Sequence, residues 1–257
     1  MQDNKDTIIF DLDGTLIKTE RLKDAFKQIA IDSGCTSCEA DEVYKSARTA
    51  KDKEGTERLV FSREHFTKVL KEFLAQKNIE VDEIDFSRLE SELSEDILLP
   101  GAKELLEEAK KHGIKIILIT LGEEVWQQEK LKASGLDKYF YFKDGKKEGN
   151  VIITDNNEKV KGRKMEALRS NLDKNITGEG VTFINDKPWE TRDIAIEFPE
   201  MMCYAVPEHD DERYNLTKFD EAQSQAKEGG GKFERVETLE ELNRRLFSKE
   251  RYDGSRK

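Results

Sequence analysis

Short apolar runs alternate with amphipathic stretches along most of this chain. The apolar runs predicted to form strands are 7–10, 114–120, 139–142, 151–154, 181–186 and 201–206, and 233–246 is predicted to hold a last strand and helix. Between these runs, apolar residues recur at helical spacing, as Leu105, Leu106 and Ala109 do. Strands that alternate with helices favour an α/β fold with a parallel sheet and right-handed crossovers.

A long helical stretch separates the first two predicted strands. Leu22 and Phe26 begin one apolar helix face, and Phe66 begins another, with Ser62 in position to cap its helix. Between these two faces, residues 47–56 are polar and charged. We therefore expect residues 17–97 to form a small helical module of their own.

Two segments near the C-terminus have a different character. Residues 207–232 are polar and contain three consecutive glycines, which predicts a loop or a partly disordered excursion. Residues 248–257 are predicted to form a flexible tail.

Composition and charge narrow the possible partners. The 257 residues are 36% hydrophobic and 39% charged, with a formal net charge of −11. Nucleic-acid binding needs a basic surface, so nucleic acid is not expected as a partner. No apolar run is long enough to span a membrane, and the N-terminus lacks a basic and then apolar signal region. We expect a soluble, cytoplasmic protein.

Cys35 and Cys38 have the CxxC spacing that occurs in zinc sites. A structural zinc site needs two further ligands nearby, but Cys203 is distant and the three histidines show no ligand spacing. The sequence therefore favours two small residues in a turn between helices.

Three of the predicted strands end in oxygen-bearing side chains, Asp11, Thr120 and Asp186. In a parallel sheet the carboxyl ends of the strands lie at one edge, so these side chains can converge. Asp13 follows Asp11 by two residues, and Gly14 permits a tight turn. Two carboxylates at such an edge suit nucleophilic and acid–base chemistry, with a cation to balance their charge.

A calcium loop would begin with similar residues but does not fit here. Counted from Asp11, such a loop needs an oxygen ligand at its fifth position and a glutamate at its twelfth. Those positions hold Thr15 and Leu22.

The sequence Asp-Leu-Asp-Gly-Thr-Leu at 11–16 resembles the first motif of the haloacid dehalogenase (HAD) superfamily. The resemblance implies a Rossmann-like three-layer core, with Asp11 as the nucleophile and Asp13 as the general acid and base. Most members are magnesium-dependent phosphatases, so Mg²⁺ is the expected cofactor. Dehalogenases of the superfamily lack the second aspartate, so Asp13 favours a phosphatase or phosphomutase.

Three later motifs of the superfamily have counterparts in this chain. Thr120 resembles the residue that binds a phosphoryl oxygen. Lys164 resembles the lysine that neutralises the nucleophile, with Lys161, and more distantly Lys159, as alternatives. Asp186 and Glu190 have the spacing of the acids that bind the metal.

The fourth motif departs from the usual pattern at two positions. Asn185 stands where the family has glycine or aspartate, and Glu190 stands where it has aspartate. The resemblance implies Asp11, Asp13, Asp186 and Glu190 as the metal site, Asp13 through its backbone carbonyl. The exact role of Glu190 stays open, because its side chain is one methylene longer than that of aspartate.

The resemblance also implies a division of the chain. Residues 1–16 and 98–247 would form the catalytic core, and residues 17–97 would form a helical cap that closes over it. Arg48, Lys51 and Lys53 in the cap are candidates to bind a substrate anion, although charged loops are more often simply solvated.

The activity expected from the resemblance is hydrolysis of a small phosphate ester through an aspartyl-phosphate intermediate. A phosphomutase would share the core residues and differ in its cap. A non-catalytic binding protein with the same fold would tolerate the changes at Asn185 and Glu190. The sequence names neither the substrate nor the oligomeric state.

Overall fold

A computed structural model describes residues 6–143, 149–154, 157, 162–171, 178–208 and 215–248. The strands in chain order are β1 (Thr7–Phe10), β2 (Thr49–Lys51), β3 (Glu57–Leu59), β4 (Lys115–Thr120), β5 (Val151–Ile153), β6 (Val181–Asn185), β7 (Met202–Ala205) and β8 (Lys232–Arg235). The α-helices are α1 (Thr19–Asp32), α2 (Ser37–Arg48), α3 (Arg63–Gln76), α4 (Ser87–Glu92), α5 (Ala102–Lys111), α6 (Glu124–Ala133), α7 (Arg163–Asn171), α8 (Pro188–Glu197), α9 (Leu216–Glu228) and α10 (Leu239–Phe247). Short 3₁₀ helices cover Glu95–Ile97 and Leu136–Lys138.

Six of these strands form one parallel sheet in the order β5–β4–β1–β6–β7–β8. Successive residues of β1 point to opposite faces, so Ile8 and Phe10 pack in one hydrophobic layer and Ile9 in the other. Helices α5 and α10 contribute to the first layer, and α8 and α9 to the second. The predicted α/β fold with a parallel sheet between helical layers is confirmed.

Residues 17–97 contribute no strand to this sheet. They form α1 to α4, as expected, and also an antiparallel hairpin of β2 and β3 that the sequence analysis did not predict. Asp52 builds the turn by accepting hydrogen bonds from the backbone N–H groups of Glu54 and Thr56 at 2.9 and 2.8 Å. The hairpin could not be predicted from the apolar pattern, because its three-residue strands lack a run of apolar residues.

Side-chain caps begin two of the helices in this segment. The Ser62 hydroxyl accepts a hydrogen bond from the backbone N–H of His65 at 3.1 Å, which confirms the predicted cap of α3. Thr36 and Glu39 form a reciprocal capping box at the start of α2.

The predicted strand at 139–142 is wrong. Tyr139 and Phe140 are buried, but the segment runs without strand structure after a 3₁₀ helix. The side chain of Asn150 takes the place of a ladder partner, donating to the Tyr139 carbonyl at 2.8 Å and accepting from the Tyr141 N–H at 2.9 Å. An apolar run therefore packs against the sheet without joining it.

The predicted loop at 207–232 is also wrong over much of its length. Helix α9 occupies Leu216–Glu228 and buries Phe219, Ala222 and Ala226. These residues have helical spacing, but two of them are alanines, so the apolar face was too weak to stand out in a polar segment. Residues 209–214 lie outside the described part of the chain, as does the predicted tail from residue 249 onward.

The three cysteines are free thiols, with Cys35 and Cys203 buried and Cys38 exposed. Cys35 precedes the capping residue of α2, and Cys38 lies in the first turn of that helix. No group of three metal-ligating His, Cys, Asp or Glu side chains occurs among the residues described above. Likewise, no described helix is long and apolar enough to cross a membrane.

Candidate active site

The oxygen-bearing residues at three strand ends lie at one edge of the sheet. Strand β1 is flanked by β4 and β6, and Phe10 is in register with residues of both neighbours. Asp11 follows β1 and donates its backbone N–H to the Ile184 carbonyl at 2.9 Å. Thr120 ends β4, and Asp186 follows β6. The parallel register therefore brings together the three positions that the sequence predicted to converge.

A cavity of about 610 Å³ opens above this edge. Nine charged residues that follow the strands or lie on α6, α7 and α8 line its base, which we call the cavity floor: Asp11, Asp13, Lys130, Arg163, Lys164, Asp186, Lys187, Glu190 and Glu208. Thr120 is fully buried and does not line the cavity, whereas the next two residues, Leu121 and Gly122, do. The floor thus contains five carboxyl groups, three lysines and one arginine.

Lys164 is the direct partner of Asp11. Its Nζ atom lies 2.7 Å from Asp11 Oδ2, and each side chain is only 3% exposed. Burial lowers the pKa of Lys164, but the charges of Asp11 and Glu190 outweigh it and raise that pKa above its usual range. Lys164 therefore stays protonated beside Asp11. The alternatives Lys159 and Lys161 lie outside the described residues.

Glu190 faces the same lysine. Its Oε2 atom accepts hydrogen bonds from Lys164 at 2.8 Å and from the Asn185 amide at 3.2 Å. Burial favours a raised pKa for Glu190, but Lys164 and Lys187 lower it to about 2. Asn185 also accepts from Lys164 at 3.0 Å. Asn185 and Glu190 therefore both contact the lysine that pairs with Asp11.

Asp13 has a lysine partner of its own, Lys130 on α6. Lys130 Nζ lies 2.6 and 2.7 Å from the two carboxylate oxygens, and the Thr19 hydroxyl donates to Asp13 at 3.2 Å. The Lys130 side chain is 3% exposed and that of Asp13 is 26% exposed. Burial raises the pKa of Asp13, but Lys130, Lys187 and Thr19 together bring it below its usual value.

Asp186 is buried at the floor with one oxygen unsatisfied. Within the described structure, its Oδ1 atom has no hydrogen-bond partner. Burial raises the pKa of Asp186 well above its usual range, and the neighbouring Asp11 and Glu190 add to this effect although Lys187 opposes it. A carboxyl group in these surroundings is stabilised in its charged form by a bound cation.

Gly14 permits the close approach of the floor residues. Its φ of +78° is unfavourable for other residues, and a Cβ atom there would lie 2.6 Å from Asp186 Oδ2 and 2.8 Å from Glu208 Oε2. The turn after β1 therefore needs glycine both for its positive φ and because a Cβ atom would have no room.

Comparison with known proteins identifies the family. A family model described as a haloacid dehalogenase-like hydrolase matches residues 5–192. This chain belongs to that family. No curated protein matches the chain.

Solved structures of HAD proteins share its fold. The L-2-haloacid dehalogenase from Xanthobacter autotrophicus aligns with a TM-score of 0.54 at 16% identity, over 95% of this chain and 99% of that chain. A Thermotoga maritima protein assigned as a β-phosphoglucomutase aligns with a TM-score of 0.54 at 22% identity, over 94% and 98%. The HAD-hydrolase YfnB from Bacillus subtilis, solved with magnesium, aligns with a TM-score of 0.52 at 15% identity, over 94% and 98%. At these identities the likeness concerns the fold alone.

The floor of this HAD hydrolase fits Mg²⁺ by the chemistry of its donors. Mg²⁺ is bound in proteins by one or two carboxylates and keeps several waters. Asp11 and Asp186 supply two buried carboxylates, and the Asp186 Oδ1 atom lacks a partner in the described structure. The floor also has more carboxyl groups than lysines, so a divalent cation would reduce the repulsion between them.

The sequence analysis missed four charged residues of the cavity floor: Lys130, Arg163, Lys187 and Glu208. Lys187 follows Asp186 directly, and its pKa is raised by Asp186, Asp11 and Glu190 against the effect of burial. Glu208 is 6% exposed, and its Oε1 atom lies 3.5 Å from the backbone nitrogen of Glu20. Lys130 lies one helical turn after Trp126, but nothing in the sequence linked it to Asp13.

Proposed function

We propose that this HAD hydrolase is a magnesium-dependent phosphatase of a small phosphorylated metabolite. The observation that carries the proposal is that Asp11 and Asp13 line one cavity and each is paired with a buried lysine. A carboxylate nucleophile next to a second carboxyl group is the equipment for a two-step transfer of a phosphoryl group to water.

In the first step an Asp11 oxygen attacks phosphorus in line with the leaving oxygen. A bond forms between Asp11 and phosphorus, the ester bond breaks, and Asp13 gives its proton to the leaving oxygen. Lys164 balances negative charge at the nucleophile and on the transferring group. Asp13 needs a proton for this step, and the approach of an anionic phosphoryl group favours its protonated form.

In the second step water attacks the phosphorus of the aspartyl-phosphate. Asp13, now ionised, accepts a proton from that water, and the bond between phosphorus and Asp11 breaks. Inorganic phosphate leaves, and Asp11 is regenerated. Lys130 orients the Asp13 carboxylate through both oxygens, which fixes the group that handles the proton in each step.

HAD proteins generally use Mg²⁺, and the YfnB structure contains it. Asp11, Asp186 and the backbone carbonyl of Asp13 would hold the ion here, while Glu190 would act through Lys164. When bound, Mg²⁺ supplies positive charge that offsets the charge developing on the phosphoryl oxygens.

Residues 17–97 act in this proposal as a cap over the cavity. Phe26, Tyr44 and Phe61 of this segment line the same cavity as the floor residues. An ion pair between Arg63 on α3 and Glu129 on α6 joins the segment to the core. A closed cap excludes bulk water from the nucleophile and surrounds the leaving group.

Asp13 favours a phosphatase over a dehalogenase on chemical grounds. A halide ion leaves without a proton, so dehalogenation does not need an acid beside the nucleophile. An alkoxide is a poor leaving group, so ester cleavage benefits from a positioned proton donor.

The test is magnesium-dependent release of phosphate from phenyl phosphate by the wild type and by Asp11→Asn. Asp193→Asn is the matched control, because Asp193 is exposed and does not line the cavity. We expect Asp11→Asn to lose at least about a thousandfold in rate, as nucleophile replacements do. We expect Asp193→Asn to retain the wild-type rate, and chelation of magnesium to abolish release.

Equal rates for Asp11→Asn and the wild type would refute Asp11 as the nucleophile. Release that persists after chelation would refute the magnesium requirement. Isomerised sugar phosphate in place of free phosphate would identify a phosphomutase instead.

A further inference from the structure

The cavity extends well beyond the floor that would hold a phosphoryl group. Its 610 Å³ is within the range of pockets that enclose whole small molecules. Six apolar residues from residues 17–97 and from α6 line it; we call them the apolar wall: Leu22, Phe26, Tyr44, Leu59, Phe61 and Trp126. This wall provides a surface for an apolar or planar part of a leaving group.

The aromatic members of the apolar wall hold one another in fixed positions. Phe26 packs edge-on against Phe61 with ring centroids 4.8 Å apart, and against Trp126 at 5.6 Å. Tyr44 and Phe61 are 5.3 Å apart. Because Trp126 belongs to α6 and the other three to residues 17–97, the wall is continuous across the two parts of the chain.

Four basic residues of α1 and α2 also line the cavity, but they differ in how their charges are balanced. Lys23 is paired with Glu20 at 2.7 Å, and Lys27 with Asp41 at 2.6 Å. The other two, Lys45 and Arg48, form no ion pair with any carboxylate in the described ranges, although Lys45 contributes to the lowered pKa of Asp41.

Lys45 and Arg48 are three residues apart on α2, so their side chains share one face of that helix. Both are exposed and both line the cavity. A guanidinium group beside an apolar surface binds carboxylate or phosphate oxygens through two hydrogen bonds. Lys45 and Arg48 are therefore cations without a carboxylate partner in the described ranges, and they line the same cavity as the apolar wall.

We propose that the substrate is a phosphomonoester whose leaving group carries an apolar or planar part and a second anionic group. The apolar part packs on the apolar wall, and the second anion, a carboxylate or a phosphate, binds Arg48 and Lys45. This inference rests on the proposed phosphatase activity. The enzyme would prefer substrates with two anionic groups over phosphate esters of the same size whose leaving group is uncharged.

The alternative is that Lys45 and Arg48 have a purely structural role. Basic side chains in the last turn of a helix interact favourably with the helix dipole, with no ligand involved. In that case the nature of the leaving group would make no difference. Lys51 and Lys53 provide the control, because they belong to the same segment and do not line the cavity.

The experiment compares kcat/KM for phenyl phosphate, 4-carboxyphenyl phosphate and 1,4-phenylene bisphosphate. The proteins are the wild type, the double variant Lys45→Gln with Arg48→Gln, and the control variant Lys51→Gln with Lys53→Gln. We expect the wild type to prefer one or both esters with a second anion by about tenfold, the effect of one good charged contact. Which of the two it prefers distinguishes a carboxylate from a phosphate.

In the Lys45 and Arg48 variant, kcat/KM for the preferred ester divided by kcat/KM for phenyl phosphate is expected to be close to one. The Lys51 and Lys53 variant is expected to keep the wild-type ratio. Equal kcat/KM for all three esters in the wild type would overturn the proposal. The same loss of preference in both variants would also overturn it, because the effect would then follow net charge rather than the cavity.

A binding measurement separates this inference from the proposed function. Phenylphosphonate and 4-carboxyphenylphosphonate, which are not hydrolysed, are titrated into the wild-type protein with magnesium in a calorimeter. Tighter binding of the carboxylated compound without hydrolysis of any ester would support the second-anion site and refute the phosphatase. Hydrolysis with equal binding of the two phosphonates would refute the site and leave the phosphatase intact.

Discussion

At the residue scale, the two aspartates of the cavity floor differ in their lysine partners. Lys164 contacts Asp11 and also Glu190, whereas Lys130 contacts both oxygens of Asp13. The two aspartates are therefore oriented by different lysines. This arrangement makes the effects of single substitutions separable.

Replacing Lys130 with methionine is expected to destabilise the protein by about 2 kcal/mol. The change leaves the Asp13 carboxylate without its partner, and the cost is below that of a fully buried pair because the Asp13 side chain is 26% exposed. Urea unfolding of the wild type and the variant at neutral pH measures this difference. Unchanged stability would show that the pair contributes nothing.

The effect of Lys130→Met is also expected to depend on pH. Because the pKa of Asp13 is lowered in the folded protein, its stabilising contribution is present above the ordinary aspartate value of about 4 and is lost as the pH falls through the folded value. The stability difference between the wild type and the variant should therefore narrow as the pH is lowered below about 4. A difference that stays constant with pH would contradict this account.

Glu190→Gln tests whether Glu190 acts on the lysine or on a metal. Its carboxylate contacts Lys164 at 2.8 Å, so we expect a loss of about tenfold or more in kcat, as for other residues that orient catalytic groups. The magnesium concentration for half-maximal activity should stay the same. A large increase in that concentration would instead indicate a metal ligand, with Asp186→Asn as the positive control.

The sequence predicted the aspartates of the cavity floor, which closely follow apolar strands. Asp11 and Asp13 stand two residues apart after an apolar strand, and Asp186 ends another strand in the same way. Lys130 and Glu208 gave no such signal. Lys130 reaches Asp13 across 117 positions of the chain, a contact that depends on where α6 packs.

At the element scale, turns that require glycine link the sheet to its surroundings. Gly14 lies after β1, and Gly101 precedes α5 with a φ of +83°. A Cβ at Gly101 would lie 2.6 Å from the backbone nitrogen of Glu240 at the start of α10. The two glycines therefore have similar conformations. Gly14 faces the cavity floor, whereas Gly101 packs against the start of α10.

Gly14→Ala and Gly101→Ala are expected to differ in activity and to resemble each other in stability. Each substitution carries a backbone cost of about 1–2 kcal/mol at positive φ, increased by the close contact of the new Cβ. Gly14→Ala should also lose activity, because the methyl group displaces Asp186 and Glu208. Thermal unfolding and phosphate release measure the two effects. Full activity in Gly14→Ala would refute the close packing of the floor.

The secondary structure was predictable where one pattern dominated a segment. The apolar runs of β1, β4 and β6 became strands, because neighbouring parallel strands and helices bury both of their faces. The prediction failed at 139–142, where the Asn150 side chain replaced strand pairing. A side chain that competes for backbone hydrogen bonds cannot be recognised from periodicity.

At the scale of the whole molecule, polar contacts of α3 and β3 join residues 17–97 to the rest of the described structure. Arg63 on α3 pairs with Glu129 on α6, and Arg58 on β3 forms a backbone bridge with Asn157. The Arg63 and Glu129 side chains are 25% and 32% exposed. Opening of the proposed cap would have to break these contacts, so they favour the closed arrangement.

Arg63→Gln is expected to raise KM by about fivefold and to change kcat little. A partly exposed ion pair contributes about 1 kcal/mol, so its loss lowers the equilibrium ratio of the closed to the open form about fivefold. Arg21→Gln is the matched control, because Arg21 pairs with Glu92 inside the same segment and does not cross to the core. Steady-state kinetics with phenyl phosphate measures both variants.

Salt provides an independent check on the same contact. Screening weakens a partly exposed ion pair, so about 0.5 M sodium chloride should raise the KM of the wild type toward that of Arg63→Gln. Arg21→Gln should respond to salt as the wild type does. Equal KM values for the wild type and Arg63→Gln at low salt would mean that this ion pair does not control closure. The apolar wall, which joins Trp126 to aromatic residues of residues 17–97, would then be the contact that holds the closed form.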